Sequence, residues 1–204
     1  MQQSTRSTHV VRIVAGRLRG SRLAVADRDG LRPTPDRVRE TLFNWLAPFI
    51  EGARCLDLFA GTGALGIEAL SRGAAHCTFV ESDRSLAAAL RDNLARLRVD
   101  DARVIEADAL TWLGQPGAAV DIAFVDPPFA RGLWPAALAA LDNGWLRDGA
   151  FVYVESPLDV TPTAPANWRL HREGRAGAVR FALYRRTAGR TDVMPPLQDR
   201  AEYP

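Results

Sequence analysis

The chain has 204 residues, of which 47% are hydrophobic and 25% are charged, and both values are ordinary for a globular domain. They exclude a wholly disordered chain, and the length predicts one main domain with a full core. No apolar run reaches the about 18 residues of a membrane helix, and the N-terminus lacks the apolar stretch of a secretion signal. We therefore expect a cytoplasmic protein in which Cys55 and Cys77 are reduced thiols.

The net charge of +2 is unevenly distributed along the chain. Residues 1–50 hold nine arginines and four acids (+5), residues 51–154 nine arginines and fourteen acids (−5), and residues 155–204 eight arginines and six acids (+2). The N-terminal quarter is therefore the part that suits a polyanion such as nucleic acid.

The first predicted unit, residues 1–30, is a basic arm followed by a β-hairpin. Two short apolar stretches, Val10–Ala15 and Ser21–Val25, flank a loop with glycine at each end, which predicts two strands and a tight connection. Arginines in and near this hairpin favour contacts with phosphates, although a simple solvated turn is an equal alternative for a lone hairpin. The candidate RNA-binding residues are Arg12, Arg17, Arg19, Arg22 and Arg32.

A main domain is predicted for residues 31–186, and it begins with a helix. Thr34 is the expected N-cap, Pro35 the first helical residue, and Asp36 lies in the first turn. Residues 187–204 are polar and proline-rich, and we expect them to form a flexible tail.

The stretch from Arg54 to Gly73 combines an apolar run, a glycine-rich turn and a helical pattern. The pattern predicts a buried strand that ends near Phe59, a sharp turn at Gly61 and Gly63, and a helix over Ala64–Ser71. The N–H groups of such a turn suit a negatively charged or carboxylate-bearing ligand.

The glycines of this loop fit two kinds of cofactor site. Gly61, Gly63 and Gly66 satisfy the dinucleotide pattern, and Glu81 follows at the expected distance. Asp57, however, stands at the end of the strand where dinucleotide-binding proteins usually have an apolar residue. The D-x-F-x-G-x-G pattern resembles the first motif of S-adenosylmethionine-dependent methyltransferases. That resemblance implies that Asp57 acts on the cationic methionine end of the cofactor and that Phe59, Ala60, Gly61 and Gly63 line the site; the alternative is that Asp57 only caps the turn.

Two further acids follow predicted strands. Glu81 ends the strand Ala75–Val80, where an acid can accept both hydroxyls of a ribose, and we favour it over Asp83, which can instead cap the next helix. Asp108, with Ala109, follows the strand Ala102–Glu106. It can accept from an adenine amino group, or serve as an N-cap.

The sequence VDIAFVDPPF at Val120–Phe129 predicts a strand that delivers Asp126 to its carboxyl end. Pro127 and Pro128 stiffen the turn and leave carbonyl acceptors, and Phe129 adds a flat apolar face. These groups suit methylation of an exocyclic amine, whose lone pair is delocalised into the ring. If Asp126 and the Pro127 carbonyl each accept one N–H, the nitrogen can direct its lone pair at a methyl donor while Phe129 stacks on the base.

Taken together, these motifs resemble one family over about Val11 to Arg186: the bacterial 16S ribosomal RNA guanine-N2 methyltransferases (RsmD-like), which act on guanine 966 in the conventional RNA numbering. RIVAGRLRG, LRPTPDRVRETLFNWL, CLDLFAGTGALGIEALSRG, VDPPF and YVES carry the resemblance. It implies an α/β, Rossmann-like class I fold with a mostly parallel seven-stranded sheet, an antiparallel last strand and an N-terminal β-hairpin extension. It also implies S-adenosyl-L-methionine as donor, 16S rRNA in the small (30S) subunit as substrate, and catalytic roles for Asp126, Pro127, Pro128 and Phe129, with Asp126 also facing the cofactor.

Alternatives remain at this stage. They are a methyltransferase acting on another exocyclic amine, such as adenine N6, a non-catalytic RNA-binding assembly factor, and a nicotinamide enzyme using the glycine loop. We expect no metal site, no membrane segment and no obligatory protein partner, and a monomer.

Overall fold

The computed structural model describes residues 10–24 and 35–187. Thr34, Arg32 and most of the predicted tail lie outside these ranges, as does the predicted boundary between the first two units. Within the described residues, no helix is long and apolar enough to cross a membrane.

The described part of the chain forms nine strands, five α-helices and one short 3-10 helix. The strands are β1 (Val10–Arg12), β2 (Arg22–Ala24), β3 (Arg54–Asp57), β4 (His76–Glu81), β5 (Ala102–Glu106), β6 (Val120–Val125), β7 (Leu146–Pro157), β8 (Trp168–Ala176) and β9 (Val179–Arg186). The helices are α1 (Asp36–Leu46), α2 (Ala64–Ser71), α3 (Arg84–Arg96), α4 (Ala109–Leu113) and α5 (Trp134–Asp142), and the 3-10 helix spans Phe129–Arg131.

Seven of the strands form one sheet in the order β5-β4-β3-β6-β7-β9-β8. The strands β3 to β7 pair in parallel, whereas β9 runs antiparallel between β7 and β8. The predicted α/β class and the antiparallel last strand are confirmed. Because β3 to β7 are parallel, their carboxyl ends meet at one edge of the sheet, which we call the carboxyl edge.

The strands β3, β4, β6 and β7 are largely buried on both faces, which explains why they read as almost continuous apolar runs. One core cluster contains Cys55, Phe79 and Phe124, and the other contains the intervening residues, such as Leu56 and Val80. This alternation places Asp57, two residues after Cys55, on the same face as Phe124, its partner in register on β6.

The N-terminal hairpin β1–β2 packs against the main domain. Val11, Ile13 and Leu23 are buried in the same cluster as α1 and α2. Glu68 on α2 accepts hydrogen bonds from the backbone N–H groups of Val14 (2.8 Å) and Ala15 (3.0 Å).

The loop of the hairpin is held at the far end of α2. Ser71 accepts from the N–H of Leu18 at its Oγ (2.9 Å) and from that of Arg17 at its carbonyl (2.8 Å). Gly16 lies so close that an added Cβ would be 1.9 Å from the Ser71 carbonyl oxygen. Since α2 runs away from the carboxyl edge for eight residues, or about 12 Å at 1.5 Å per residue, the hairpin loop lies toward the opposite edge of the sheet.

Some predicted boundaries were wrong. Pro35 is the N-cap of α1 and not its first helical residue: its backbone is extended (ψ 144°), and its carbonyl accepts from the N–H groups of Val38 and Arg39. The strand predicted to end near Phe59 ends at Asp57, because the chain then turns into the glycine loop. The strand predicted over Ala150–Glu155 is longer and spans Leu146–Pro157: Leu146 pairs with Val120 and Phe151 with Ile122, so β7 holds extra residues between these two pairs.

Candidate active site

Asp57 lies at the carboxyl edge of β3 and is 3% exposed. Its Oδ2 accepts a hydrogen bond from the N–H of Gly66 in the first turn of α2, at 3.0 Å. Burial raises the pKa of Asp57 to about 7; the Gly66 N–H opposes this shift and the charge of Glu81 adds to it. Asp57 therefore does cap the turn, as the alternative interpretation predicted, and its side chain lies under the glycine loop against the first turn of α2.

Gly66 is required for this close approach of α2 to the sheet. A Cβ at Gly66 would lie 2.2 Å from the ring of Phe79 on β4. Gly63, which adopts a φ of +76°, precedes the helix as its N-cap. The glycine spacing thus serves a tight turn and close packing between helix and strand.

Glu81, at the end of β4, connects two loops at the carboxyl edge. Its Oε2 accepts from the N–H of Gly61 at 2.8 Å, and its Oε1 accepts from the N–H of Asp83 at 2.7 Å. The Oδ1 of Asp83 in turn accepts from the N–H groups of Ser85 and Leu86, so Asp83 is the N-cap of α3. The helix-capping interpretation of Asp83 is confirmed, and the ribose role of Glu81 stays a prediction.

Asp108 is the N-cap of α4. Its Oδ1 accepts from the N–H groups of Leu110 (3.1 Å) and Thr111 (3.0 Å), and Arg131 lies 3.6 Å from its Oδ2. Hydrogen bonds from the Thr111 backbone, and more weakly the charge of Arg131, lower the pKa of Asp108. Its neighbour Ala109 is buried. The N-cap alternative is therefore present, and an adenine contact stays a prediction.

The DPPF segment follows β6 directly. Asp126 is half-buried and Pro127 buried, whereas Pro128 and Phe129 are exposed. The ring of Phe129 packs at 5.8 Å from that of Trp134, and it remains 37% exposed. Burial raises the pKa of Asp126 well above its usual range, and the charges of Glu155 and then Asp57 raise it further.

Four adjacent strands thus each end in, or are followed by, an acidic residue at the same edge. In sheet order they are Asp108 after β5, Glu81 on β4, Asp57 on β3 and Asp126 after β6. Phe59, Ala60, Gly61 and Gly63 lie between Asp57 and α2, beside this row. An acidic rim with a flat aromatic side chain at one end suits a cationic, adenosine-bearing ligand.

Two functional candidates were missed by the sequence analysis, Tyr153 and Glu155 on β7. The Tyr153 hydroxyl donates to Glu155 Oε1 at 2.8 Å, and both side chains are buried. The available signal was a polar residue inside the otherwise apolar run FVYVES. A buried carboxylate in such a strand needs a hydrogen-bond or ionic partner, and this need indicates a candidate functional residue.

The candidate RNA-binding arginines do not join the acidic rim. Arg12, Arg17, Arg19 and Arg22 are exposed on β1, β2 and the hairpin loop. The N–H of Arg17 donates to the Ser71 carbonyl, at the end of α2 remote from the glycine loop, and Arg19 lies in the same hairpin loop. Arg32 lies outside the described residues.

Comparison with known proteins agrees with this geometry. The family described as conserved hypothetical protein 95 matches residues 11–185. Ribosomal RNA small subunit methyltransferase D of Escherichia coli K12 is 55% identical over 186 residues, which cover 90% of this chain and 94% of the relative. The chain belongs to the family of ribosomal RNA small subunit methyltransferase D.

Other members of this methyltransferase family share the same extent of chain. The Haemophilus influenzae methyltransferase D is 46% identical over 179 residues, covering 85% of this chain and 93% of the relative. A solved Escherichia coli structure, of the protein yhhF, superposes with a TM-score of 0.81 at 55% identity and covers 88% of this chain and 99% of its own. The family therefore spans both the N-terminal hairpin and the seven-stranded sheet.

Proposed function

We propose that this protein transfers the methyl group of S-adenosyl-L-methionine to the exocyclic N2 amine of a guanine in 16S ribosomal RNA, the one at position 966 in the family's conventional numbering. The observation that carries the proposal is the placement of Asp57 and Asp126 at the ends of adjacent strands, on one face, in a chain 55% identical to the Escherichia coli enzyme. Acting on a small subunit, it would work in the cytoplasm, and we expect a monomer.

The acidic rim fits S-adenosylmethionine, which supplies an electrophilic methyl group when bound. Asp57 would face its cationic methionine end, since a buried carboxylate whose pKa is near 7 gains a counter-ion there. Glu81 would accept from the ribose hydroxyls, and Asp108 with Ala109 would lie against the adenine. Phe59, Ala60, Gly61 and Gly63 would line the path between them.

Asp126, Pro127, Pro128 and Phe129 would hold the target base. The Asp126 carboxylate and the Pro127 carbonyl each accept one N–H of the amine, which directs the nitrogen lone pair toward the methyl donor. The exposed face of Phe129 stacks on a base taken out of its helix, and Trp134 supports the ring from behind. Pro128 keeps this short segment rigid.

The RNA backbone would be bound away from the acidic rim, because the rim repels phosphates. The hairpin arginines 12, 17, 19 and 22, together with Arg32, are the proposed contacts. Since the hairpin loop lies toward the opposite edge of the sheet, Arg17 and Arg19 would contact RNA distant from the target base. A folded ribosomal subunit offers such an extended surface, and free short RNA does not.

Transfer of a tritiated methyl group from labelled S-adenosylmethionine tests the proposal. Undermethylated small subunits, free 16S rRNA and DNA are compared as substrates, and the labelled nucleoside is identified by chromatography. We expect N2-methylguanosine from small subunits. Labelled N6-methyladenine, or no transfer to any of the three, would overturn the proposal.

A further inference from the structure

Glu155 lies directly beside Asp126 at the carboxyl edge. The parallel ladder pairs Val125 of β6 with Val154 of β7, so the next residues on the two strands, Asp126 and Glu155, are neighbours. Phe124 and Tyr153 are paired on one face of the sheet. Asp126 lies two positions after Phe124, and Glu155 lies two positions after Tyr153, so both acids belong to that face. Two carboxyl groups therefore share one face on strands about 4.8 Å apart, and Glu155 is 4% exposed.

Glu155 is held firmly from two sides. The buried hydroxyl of Tyr153 donates to its Oε1 at 2.8 Å, and the indole N–H of Trp134 donates to its backbone carbonyl at 2.7 Å. A hydroxyl donor stabilises negative charge on the carboxylate that accepts it. These two hydrogen bonds fix the position of Glu155 beside Asp126.

Within residues 10–24 and 35–187, neighbouring strands bring an acid and an apolar ring to this pair. Asp57 approaches from β3, and its charge contributes to the raised pKa of Asp126 after burial and Glu155. On β9 the residue paired with Glu155 is the buried Phe181. Burial and the charges of Glu155 and Asp57 together strengthen the hold of Asp126 on a proton.

We propose that Glu155 is a positioning residue for Asp126, which it makes the acceptor of the proton that the methylated amine releases. The inference rests on the proposed function. When the amine nitrogen forms its bond to the methyl carbon, the carbon–sulfur bond breaks and its electron pair stays on sulfur. The nitrogen then carries one proton too many, and this proton passes to the Asp126 carboxylate and from there to solvent. The adjacent negative charge of Glu155 makes that transfer favourable.

Carboxyl-carbon NMR with ¹³C-labelled aspartate measures the coupling without any methyl transfer. The Asp126 signal is assigned by its loss in Asp126→Asn. Glu155→Gln should lower the titration midpoint of Asp126 by about one to two pH units, as expected when a charge about 5 Å away is removed at an effective dielectric constant near 20 and partly screened. Glu155→Asp keeps the charge and should restore most of the shift. Ser156→Ala, at the next buried position on the opposite face, should leave the midpoint in place.

The pH dependence of methyl transfer to small subunits gives the second readout. In Glu155→Gln the acid limb of the pH profile of kcat should move to lower pH together with the NMR midpoint. The maximal kcat should fall about tenfold, whereas the KM for S-adenosylmethionine should stay within twofold of the parent value. An unchanged midpoint and an unchanged limb in Glu155→Gln would overturn the proposal. If Glu155 shifts the Asp126 midpoint but the parent protein methylates no small subunit, the proposed function is wrong while the interaction between Glu155 and Asp126 stands.

Discussion

Glu81 Oε2 accepts a hydrogen bond from the backbone N–H of Gly61 at 2.8 Å, and this contact joins the end of β4 to the glycine loop after β3. The same carboxylate accepts from the N–H of Asp83 through its other oxygen. One buried side chain therefore shapes two of the loops at the carboxyl edge, and the position of each loop depends on the other.

If Glu81 accepts the ribose hydroxyls as proposed, Glu81→Ala should weaken S-adenosylmethionine binding by about 1.5 to 3 kcal/mol, because the hydroxyls lose a charged hydrogen-bond acceptor. Asp83→Ala should change the affinity by less than threefold and instead cost about 1 kcal/mol of stability, since it removes the N-cap of α3. Calorimetry and thermal unfolding separate the two effects. If Asp83→Ala has the larger effect on affinity, the ribose role belongs to Asp83.

Asp126→Ala should lower kcat by at least about 100-fold while leaving the affinity for S-adenosylmethionine nearly unchanged. In the proposed mechanism the Asp126 carboxylate acts mainly on the amine in the transition state, so the effect of removing it falls on kcat. Asp121→Ala is the matched control: Asp121 lies on the same strand at the opposite edge, where it pairs with Arg147. Turnover of Asp126→Ala within twofold of the parent would contradict the assignment.

Asp57→Asn should change how stability depends on pH. The folded-state pKa of Asp57 is raised to about 7, so the native protein binds this proton more tightly than the unfolded chain does. Its contribution to stability is full below about pH 4 and is lost as the pH rises through 7, an effect of order 4 kcal/mol for about three pH units.

Denaturant unfolding of the parent and of Asp57→Asn between pH 4 and pH 8 measures this effect. The free energy of unfolding should shift in favour of the asparagine variant as the pH rises. The exposed Asp92 on α3 provides the control substitution, Asp92→Asn. A parent-to-variant difference that is constant over this pH range would show that Asp57 does not titrate there.

Replacing Arg17, Arg19 and Arg22 with alanine should weaken binding to small subunits and leave the cofactor affinity unchanged. For every phosphate that these arginines no longer neutralise, the salt dependence of the binding constant should flatten by roughly 0.7 to 0.9 log units. The matched variant replaces three exposed arginines of the edge strand β8, Arg169, Arg172 and Arg175. If that variant loses the salt dependence and the hairpin variant keeps it, the RNA lies along β8 and the hairpin only covers the core.

Local pattern alone was enough to locate most of the candidate site. An apolar run followed by an acid predicts the end of a buried parallel strand, and Asp57, Glu81, Asp108 and Asp126 each follow such a run. Likewise Asp83 and Asp108 stand where a helix begins, so their capping roles depend on residues only two or three positions away. Such features need no knowledge of which strands are neighbours.

Only the tertiary structure decided which distant residues meet. Glu155 lies beside Asp126 because β6 and β7 pair in parallel in one register, and a shift of that register by one residue would turn Glu155 to the other face. The hairpin loop lies far from the carboxyl edge because Glu68 and Ser71 on α2 accept its backbone N–H groups. Both contacts join residues far apart in the chain, and it is the packing of whole elements, not local propensity, that selects them.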